Sequence, residues 1–372
     1  MKIVFIAGCL EPGRDGVGDY TRALATECAR RGHEVRLLSV GEPAQPAVTV
    51  DGLPTLRLTA DAWRADGGSA AQRWLEAFAP DWASLQFVPY SFAPRGFFAP
   101  AIPALMRAVG TAPRRHLFVH EVWIGSQAGA PLRARVAGWW QRRAVARLLR
   151  LMRPALVHTS ARYHIDALAT LGQPARRLPL FGHVPVPAVG ARAVLPGVAD
   201  DALVCGLFGT LYDWRPDEFL ADYAALAASL GRPAALVAAG GLGAAGAKRF
   251  ARLAERWSGT IACRASGRMT EAELAAVFAR FDCAATSMPW NIVGKSSSAA
   301  SLRLHGLRVV VTAAGDPPRF RAAAPDEAGA DDGFVPYFRT RRLERSLFQR
   351  TAPGPDVGAV AERFLADLHG CP

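Results

Sequence analysis

KIVFIAGCLEPGRDGVGDYTRALATECARRGHEVRLLSV, Lys2 to Val40, is the stretch that decides the fold. Lys2 to Ala7 is a continuous apolar run, as a strand buried on both faces requires. Gly8 to Gly18 reads as a loop holding Gly8, Gly13, Gly16 and Gly18. Tyr20 to Arg31 has helical spacing, with Leu24 and Cys28 on one face, and Gly32 stands at the capping position. Glu34 to Val40 is a second strand. The βαβ opening implies a parallel sheet with helices on both faces.

The alternation continues outward. Strands are predicted at Trp82 to Val88, His116 to His120, Ala155 to Thr159 and Arg177 to Leu180, with helices at Ala130 to Met152 and Ala161 to Leu171. Pro185 to Asp200 loses all periodicity and reads as a linker. A second series follows, with strands at Val204 to Phe208, Ala234 to Ala239, Thr260 to Arg264, Cys283 to Thr286 and Val309 to Thr312. Its helices are Pro216 to Leu230, Gly246 to Trp257, Thr270 to Phe281 and Ser297 to His305. Thr270 and Glu273 have capping-box spacing. The tail Asp356 to His369 is amphipathic. The fold class is α/β: two Rossmann-like, doubly wound domains facing each other across a cleft. Open sheets of this kind bind ligands outside the carboxyl ends of their strands, so candidate residues should follow strands.

The 372 residues, 51% hydrophobic and 20% charged, exclude a disordered chain. The formal charge of +12 favours anionic partners without choosing among them. The six cysteines are scattered and form no Cys-x-x-Cys pair, which points to reduced, buried thiols rather than a zinc or redox site. No secretory or membrane-spanning segment is expected, since Ile3 to Ala7 is too short for a signal core and Pro233 to Ala247 too short to span a bilayer.

Four stretches carry chemistry. Gly13-Arg14-Asp15-Gly16-Val17-Gly18-Asp19-Tyr20 follows a strand and opens a helix, where Gly16 and Gly18 let backbone N–H groups approach an anion. It lacks a third glycine, and no acidic residue closes the next strand, which argues against a dinucleotide cofactor. The alternative is a plain turn capped by Asp19. His120-Glu121 follows a strand, where a histidine can bind a sugar hydroxyl, move a proton or simply be satisfied by backbone. Phe208 to Arg215 follows the first strand of the second half. Arg215 there either holds phosphate or pairs with Asp213 or Asp217. Trp290-Asn291-Ile292-Val293-Gly294-Lys295-Ser296-Ser297-Ser298 combines an ammonium, hydroxyls and a helix start, as an anion needs. It is not a Walker loop, and a serine-capped loop is the plain alternative. Lys295 is one of only three lysines, with Lys2 and Lys248. The Arg-rich helix 133–153, interleaved with Trp139 and Trp140, either rests on anionic lipid or shows a solvated face. Asp-x-Asp and Gly-x-Ser-x-Gly are both missing from the sequence.

Taken in order, these residues resemble GT-B glycosyltransferases close to the family 4-like group. The resemblance rests on Gly16-Val17-Gly18, Arg31-Gly32-His33-Glu34-Val35, His120-Glu121, Val157-His158-Thr159-Ser160, Leu178-Pro179-Leu180-Phe181-Gly182, Gly209 ahead of Arg215, and His305-Gly306-Leu307-Arg308-Val309. It implies an N-terminal acceptor domain, 1–187, joined by the C-terminal helix 356–372, and a donor domain, 188–355. It also implies sugar transfer from a nucleotide-sugar co-substrate to a glycan or lipid-linked acceptor, with retention, without a metal and without another cofactor. Gly16 and Gly18 would face the diphosphate, His120 the donor sugar and Arg215 the phosphates. Thr210 stands where the family has Arg, Ser301 where a helix glutamate binds ribose, and Asn291 near a second lost glutamate. Lys295, with Ser296 and Ser297, would replace the missing phosphate charge. The scattered thiols point to a cytoplasmic protein, the Arg-rich helix 133–153 offers peripheral membrane contact as one reading, and without an aromatic-rich platform no nucleic acid is expected as partner. A non-catalytic nucleotide or polyanion binder and a nucleotide-sugar epimerase remain as alternatives.

Overall fold

The computed structural model describes residues 1–42, 49–187, 193–320 and 333–371. They form two compact units, one of Met1–Pro179 with 316–320 and 357–371, the other of Leu180–Gly315 with 333–356. The first unit therefore ends before the expected boundary at 187. Gly182 lies so close to Ser301 that a Cβ would meet its Cα at 2.8 Å, and Val184 belongs to the second unit's core. Part of the predicted linker, 188–192, lies outside the described residues.

The first unit holds β1 (Lys2–Ala7), α1 (Gly16–Arg30), β2 (Glu34–Glu42), β3 (Thr49–Val50), β4 (Leu53–Thr59), α2 (Ala60–Asp66), α3 (Ser69–Glu76), β5 (Trp82–Phe87), α4 (Pro89–Phe92), α5 (Ile102–Val109), β6 (Arg114–Val119), α6 (Leu132–Met152), β7 (Leu156–Thr159), α7 (Arg162–Ala169) and β8 (Arg176–Arg177). The sheet order is β3-β4-β2-β1-β5-β6-β7-β8, parallel except for the β3–β4 pair. β1 pairs with β2 and β5 on either side, which is why its apolar run is buried throughout. The C-terminal helix, Val357–His369, packs here through Phe364, whose ring lies 5.7 Å from that of Phe5.

The helix after β1 begins at Gly16, four residues before the position read from the sequence. Its cap is Asp15, not Asp19: the Asp15 carboxylate accepts from the N–H groups of Val17 at 2.9 Å and Gly18 at 2.7 Å. Asp19 instead accepts from the Gly13 N–H and from Arg22.

The second unit holds β9 (Leu203–Phe208), α8 (Asp217–Ser229), β10 (Ala234–Ala239), α9 (Ala244–Trp257), β11 (Ile261–Ala265), α10 (Glu271–Arg280), β12 (Cys283–Thr286), α11 (Ser297–Leu304), β13 (Val309–Val311), β14 (Phe334–Pro336) and α12 (Tyr337–Thr340). All six strands run parallel in the order β11-β10-β9-β12-β13-β14. Alternate residues serve opposite faces: Leu203, Cys205 and Leu207 enter one core cluster, Ala202 and Val204 the other. Thr270 and Glu273 form the expected capping box. On β9, between Cys205 and Leu207, sits Gly206, where a Cβ would lie 2.0 Å from the Phe281 ring. Gly206→Ala is expected to destabilise this unit by about 1–3 kcal/mol, as overpacking does, read as a lower urea midpoint. An unchanged midpoint would show that the ring has room to move.

Candidate functional site

The winding of the second sheet reverses between β9 and β12, so the loops after those two strands define its ligand crevice. Gly209 follows β9 with φ +83°, a left-handed conformation that suits glycine. A Cβ there would stand 2.1 Å from the Ser298 hydroxyl, so the loop lies directly on the first turn of α11. After β12, the Ser287 hydroxyl accepts from the Tyr212 N–H at 3.1 Å and ties the two loops together. The Trp214 indole donates to Thr312 at 2.9 Å. Thr210 and Arg215 are exposed. Asp217 pairs with Arg256 at 3.1 Å, and Arg215 makes no hydrogen bond or ion pair among the described residues, which removes its predicted carboxylate partner.

Trp290–Lys295 forms a 3₁₀ turn stitched to the chain after β13 by backbone bonds from Trp290 to Ala313 and Asn291 to Ala314. Ser296 caps α11, its hydroxyl accepting from the Ala299 N–H at 3.2 Å. Lys295, Ser296, Ser297 and Ser298 are all partly exposed around that helix start. Asn291 packs against Gly315, where a Cβ would meet its amide at 2.2 Å. Ser301 is fully buried. Its hydroxyl donates to the Ser297 carbonyl at 3.1 Å and accepts from the His183 N–H at 3.2 Å. The second unit thus gathers Thr210, Lys295, Ser296 and Ser297 near one helix N-terminus, with Ser301 beneath it.

In the first unit, Gly16 has open space at its Cα, whereas a Cβ at Gly18 would meet the Cys9 carbonyl at 2.5 Å. Gly18 is therefore required for α1 to pack on the loop, and its N–H already serves Asp15. His120 follows β6, buried to 8% exposure. Its Nε2 lies 2.9 Å from the Gln86 Oε1, and its ring stacks on Phe118 at 4.2 Å with the Tyr20 edge at 5.2 Å. Sequence reasoning did not find Gln86, nor the buried histidines His116 and His158 beside it. Their one signal was polarity inside otherwise apolar strands.

Among the described residues, Cys9, Glu11 and Glu42 are the grouping with metal-ligand spacing. Glu42 is held by Arg57 at 2.7 Å and by the Leu10 N–H at 2.7 Å, and burial pushes the Cys9 thiol up to about 11. All six cysteines are buried and unbridged. No described helix is long and apolar enough to cross a membrane. α6 buries Ala144, Val145, Leu148 and Met152 and exposes its arginines together with Leu132, Val136, Trp139 and Trp140, the Arg143 guanidinium lying 3.9 Å above Trp139.

No protein-family model and no curated protein sequence matches the chain. Solved structures do. The catalytic domain of starch synthase IV from Arabidopsis thaliana, bound to ADP and acarbose, matches with a TM-score of 0.57 and 12% identity over 98% of each chain. Sucrose-phosphate synthase from Thermosynechococcus elongatus matches with a TM-score of 0.55 and 14% identity, over 100% of this chain and 90% of that one. Anabaena HepE in complex with UDP and glucose gives a TM-score of 0.53 and 14% identity, over 100% and 90%. The chain has the GT-B fold. At these identities the likeness carries the architecture of both sheets and leaves the chemistry to the residues.

Proposed function

We propose that this GT-B chain transfers a sugar from a nucleoside-diphosphate sugar to a glycan or lipid-linked acceptor, with retention and without a metal ion. The observation that carries this reading is the seating of Gly209 on Ser298, which sets the Thr210 loop against the α11 N-terminus and Lys295. The leaving diphosphate gains charge in the transition state. A helix N-terminus, the Ser296 and Ser297 hydroxyls, and the Lys295 and Arg215 cations are suited to stabilise it. Asn291, within this turn, is assigned to the donor sugar and ribose, and Ser301 supports the helix start from below. In the first unit the Asp15 carboxylate occupies the α1 N-terminus beside Gly16 and Gly18, so the diphosphate is assigned to the second unit. His120 is assigned to the donor sugar near its reacting carbon. The solved structures with UDP and with ADP favour a nucleoside diphosphate as ligand.

The outward face of α6, with two exposed tryptophans among arginines, fits peripheral contact with an anionic membrane and hence a lipid-linked acceptor. That contact belongs to a protein acting at the inner face of the membrane.

Thermal melting against UDP-, GDP-, ADP- and dTDP-sugars tests the donor reading. A ligand at about 100 times its Kd adds roughly 2.7 kcal/mol, or a shift of about 5–11 °C for a domain of this size. One base is expected to give the shift selectively. Lys295→Ala and Arg215→Ala are each expected to remove about 1.5–3 kcal/mol of binding, the range for hydrogen bonds to charged groups. Unchanged affinity in both variants would overturn the phosphate assignment. Conversion of donor in the absence of acceptor would identify an epimerase, and binding without turnover of any acceptor would favour a non-catalytic binder.

A further inference from the structure

A line of hydrogen-bonded side chains runs through the first unit from the C-terminal helix to His120. Asp367 Oδ2 lies 3.0 Å from His158 Nε2, and His158 Nδ1 lies 3.1 Å from His116 Nε2. His116 Nδ1 lies 2.8 Å from the Ser84 hydroxyl, which accepts from the Gln86 amide at 2.8 Å. The Gln86 carbonyl oxygen then lies 2.9 Å from His120 Nε2. Ser84, Gln86, His116 and His158 are fully buried. Strand geometry explains the alignment: Ser84 and Gln86, two apart on β5, share one face, His116 lies on β6 with His120 just past its end, and His158 follows on β7. Phe364 of the C-terminal helix covers His116 at 5.1 Å between ring centres.

The proton on each link follows from its neighbour. Burial holds the His116 and His158 imidazoles below their ordinary range, so each is neutral and carries one N–H. Asp367 is an acceptor, kept in place by an Arg176 donor at 2.9 Å, so His158 must donate from Nε2. His158 Nδ1 then accepts, so His116 donates from Nε2 and accepts at Nδ1. Ser84 therefore donates to His116 and can only accept from Gln86. That fixes the Gln86 amide nitrogen toward Ser84 and its oxygen toward His120, which must donate from Nε2.

We propose that Asp367 is a positioning residue that sets the tautomer of His120 through this chain, keeping the proton on Nε2 and leaving Nδ1 unprotonated. The consequence for sugar transfer rests on His120 acting there, as proposed above, but the tautomer itself belongs to the ligand-free protein. An acceptor nitrogen at Nδ1 is able to take a hydrogen bond from a substrate hydroxyl, which an Nδ1–H is not.

The test is long-range 1H–15N correlation of the full chain labelled with 15N-histidine at neutral pH, without donor. Resonances are assigned by their loss in single His→Gln variants. Wild type is expected to show Nε2–H for His116, His120 and His158. In Asp367→Asn, Arg176 retains the side-chain oxygen and the amide NH2 faces His158. Every link then reverses, and all three histidines are expected as Nδ1–H. Inversion of His158 without His120, or no inversion at all, would overturn the proposal. Should Asp367→Asn not fold, Ser84→Ala decides. It cuts the chain midway, so His120 is expected as a mixture of tautomers with His158 still Nε2–H, and a single Nε2–H signal for His120 would overturn the proposal. Since no donor is present, a failure of sugar transfer leaves these spectra unmoved, and the two readings fail separately.

Discussion

Gly209→Ala is expected to abolish the donor-induced melting shift and to lower stability by about 2–5 kcal/mol. Two effects add. The backbone at φ +83° is left-handed, a conformation that costs an L-residue about 1–2 kcal/mol. The new methyl would also stand 2.1 Å from the Ser298 hydroxyl and 2.9 Å from its Cβ. The hydroxyl can rotate away, but the Cβ moves only with the first turn of α11, which begins at Ser297 directly after Lys295 and the Ser296 cap, the residues proposed to hold the phosphates. Overpacking of this kind costs about 1–3 kcal/mol. A second substitution separates the terms. Ser298→Gly removes both offending atoms, so the double variant should recover the clash and keep the φ penalty. The coupling between the two positions is expected at about 1–3 kcal/mol, as for contacting residues. Urea unfolding of the four proteins measures it. Additive effects would show that Gly209 does not lean on α11, and the seating on which the donor site depends would fall with it.

The contrast between what could and could not be read from the chain has a physical origin. β1 and β9 are buried on both faces, and a continuous apolar run needs no partner to be recognised. Capping at Thr270 and Glu273 is local chemistry across three residues, and it too was legible. The start of α1 was not. Gly16 and Gly18 have poor helix propensity, so the pattern starts at Tyr20, whereas the Asp15 carboxylate sets the true start at Gly16 by accepting from the N–H groups two and three residues ahead of it. β4, α2 and α3 were missed because Pro54 and Arg57 interrupt an already short strand and the helices span only two turns each. At the candidate site, Lys295 and its serines stood out by composition, while the commitment of Ser301 to His183 required the approach of Gly182 to α11. The His120 relay is the extreme case. Ser84 and Gln86 look like two polar interruptions of a strand, and Asp367 lies 209 residues from the histidine it contacts.

Acid is expected to destabilise the first unit through that relay. Burial holds the His158 imidazole down to about 4 and also holds His116 well below its ordinary 6.5. The groups facing them are His116, His120 and Asp367, with Arg176 and Arg363 adding repulsion and only the Asp367 carboxylate favouring the charged form. The sign follows from proton counting. Between about 6.5 and about 4 the unfolded chain binds a proton at His158 that the folded chain does not, so stability is complete above the unfolded value and declines as the pH falls through this window. Each pH step of one removes about 1.4 kcal/mol per imidazole, so His158 alone accounts for about 3 kcal/mol across it. Carboxylates elsewhere titrate at the acid end, and a variant isolates the histidine. Urea midpoints of wild type and His158→Gln at about pH 7 and about pH 5 should differ in their pH dependence, wild type losing roughly 2 kcal/mol more. Some slope is expected to remain in the variant because His116 still titrates. Parallel losses in the two proteins would mean that His158 takes up its proton in the folded chain. The Nε2–H to Nδ1 order from Asp367 to His120 would then break at its first histidine.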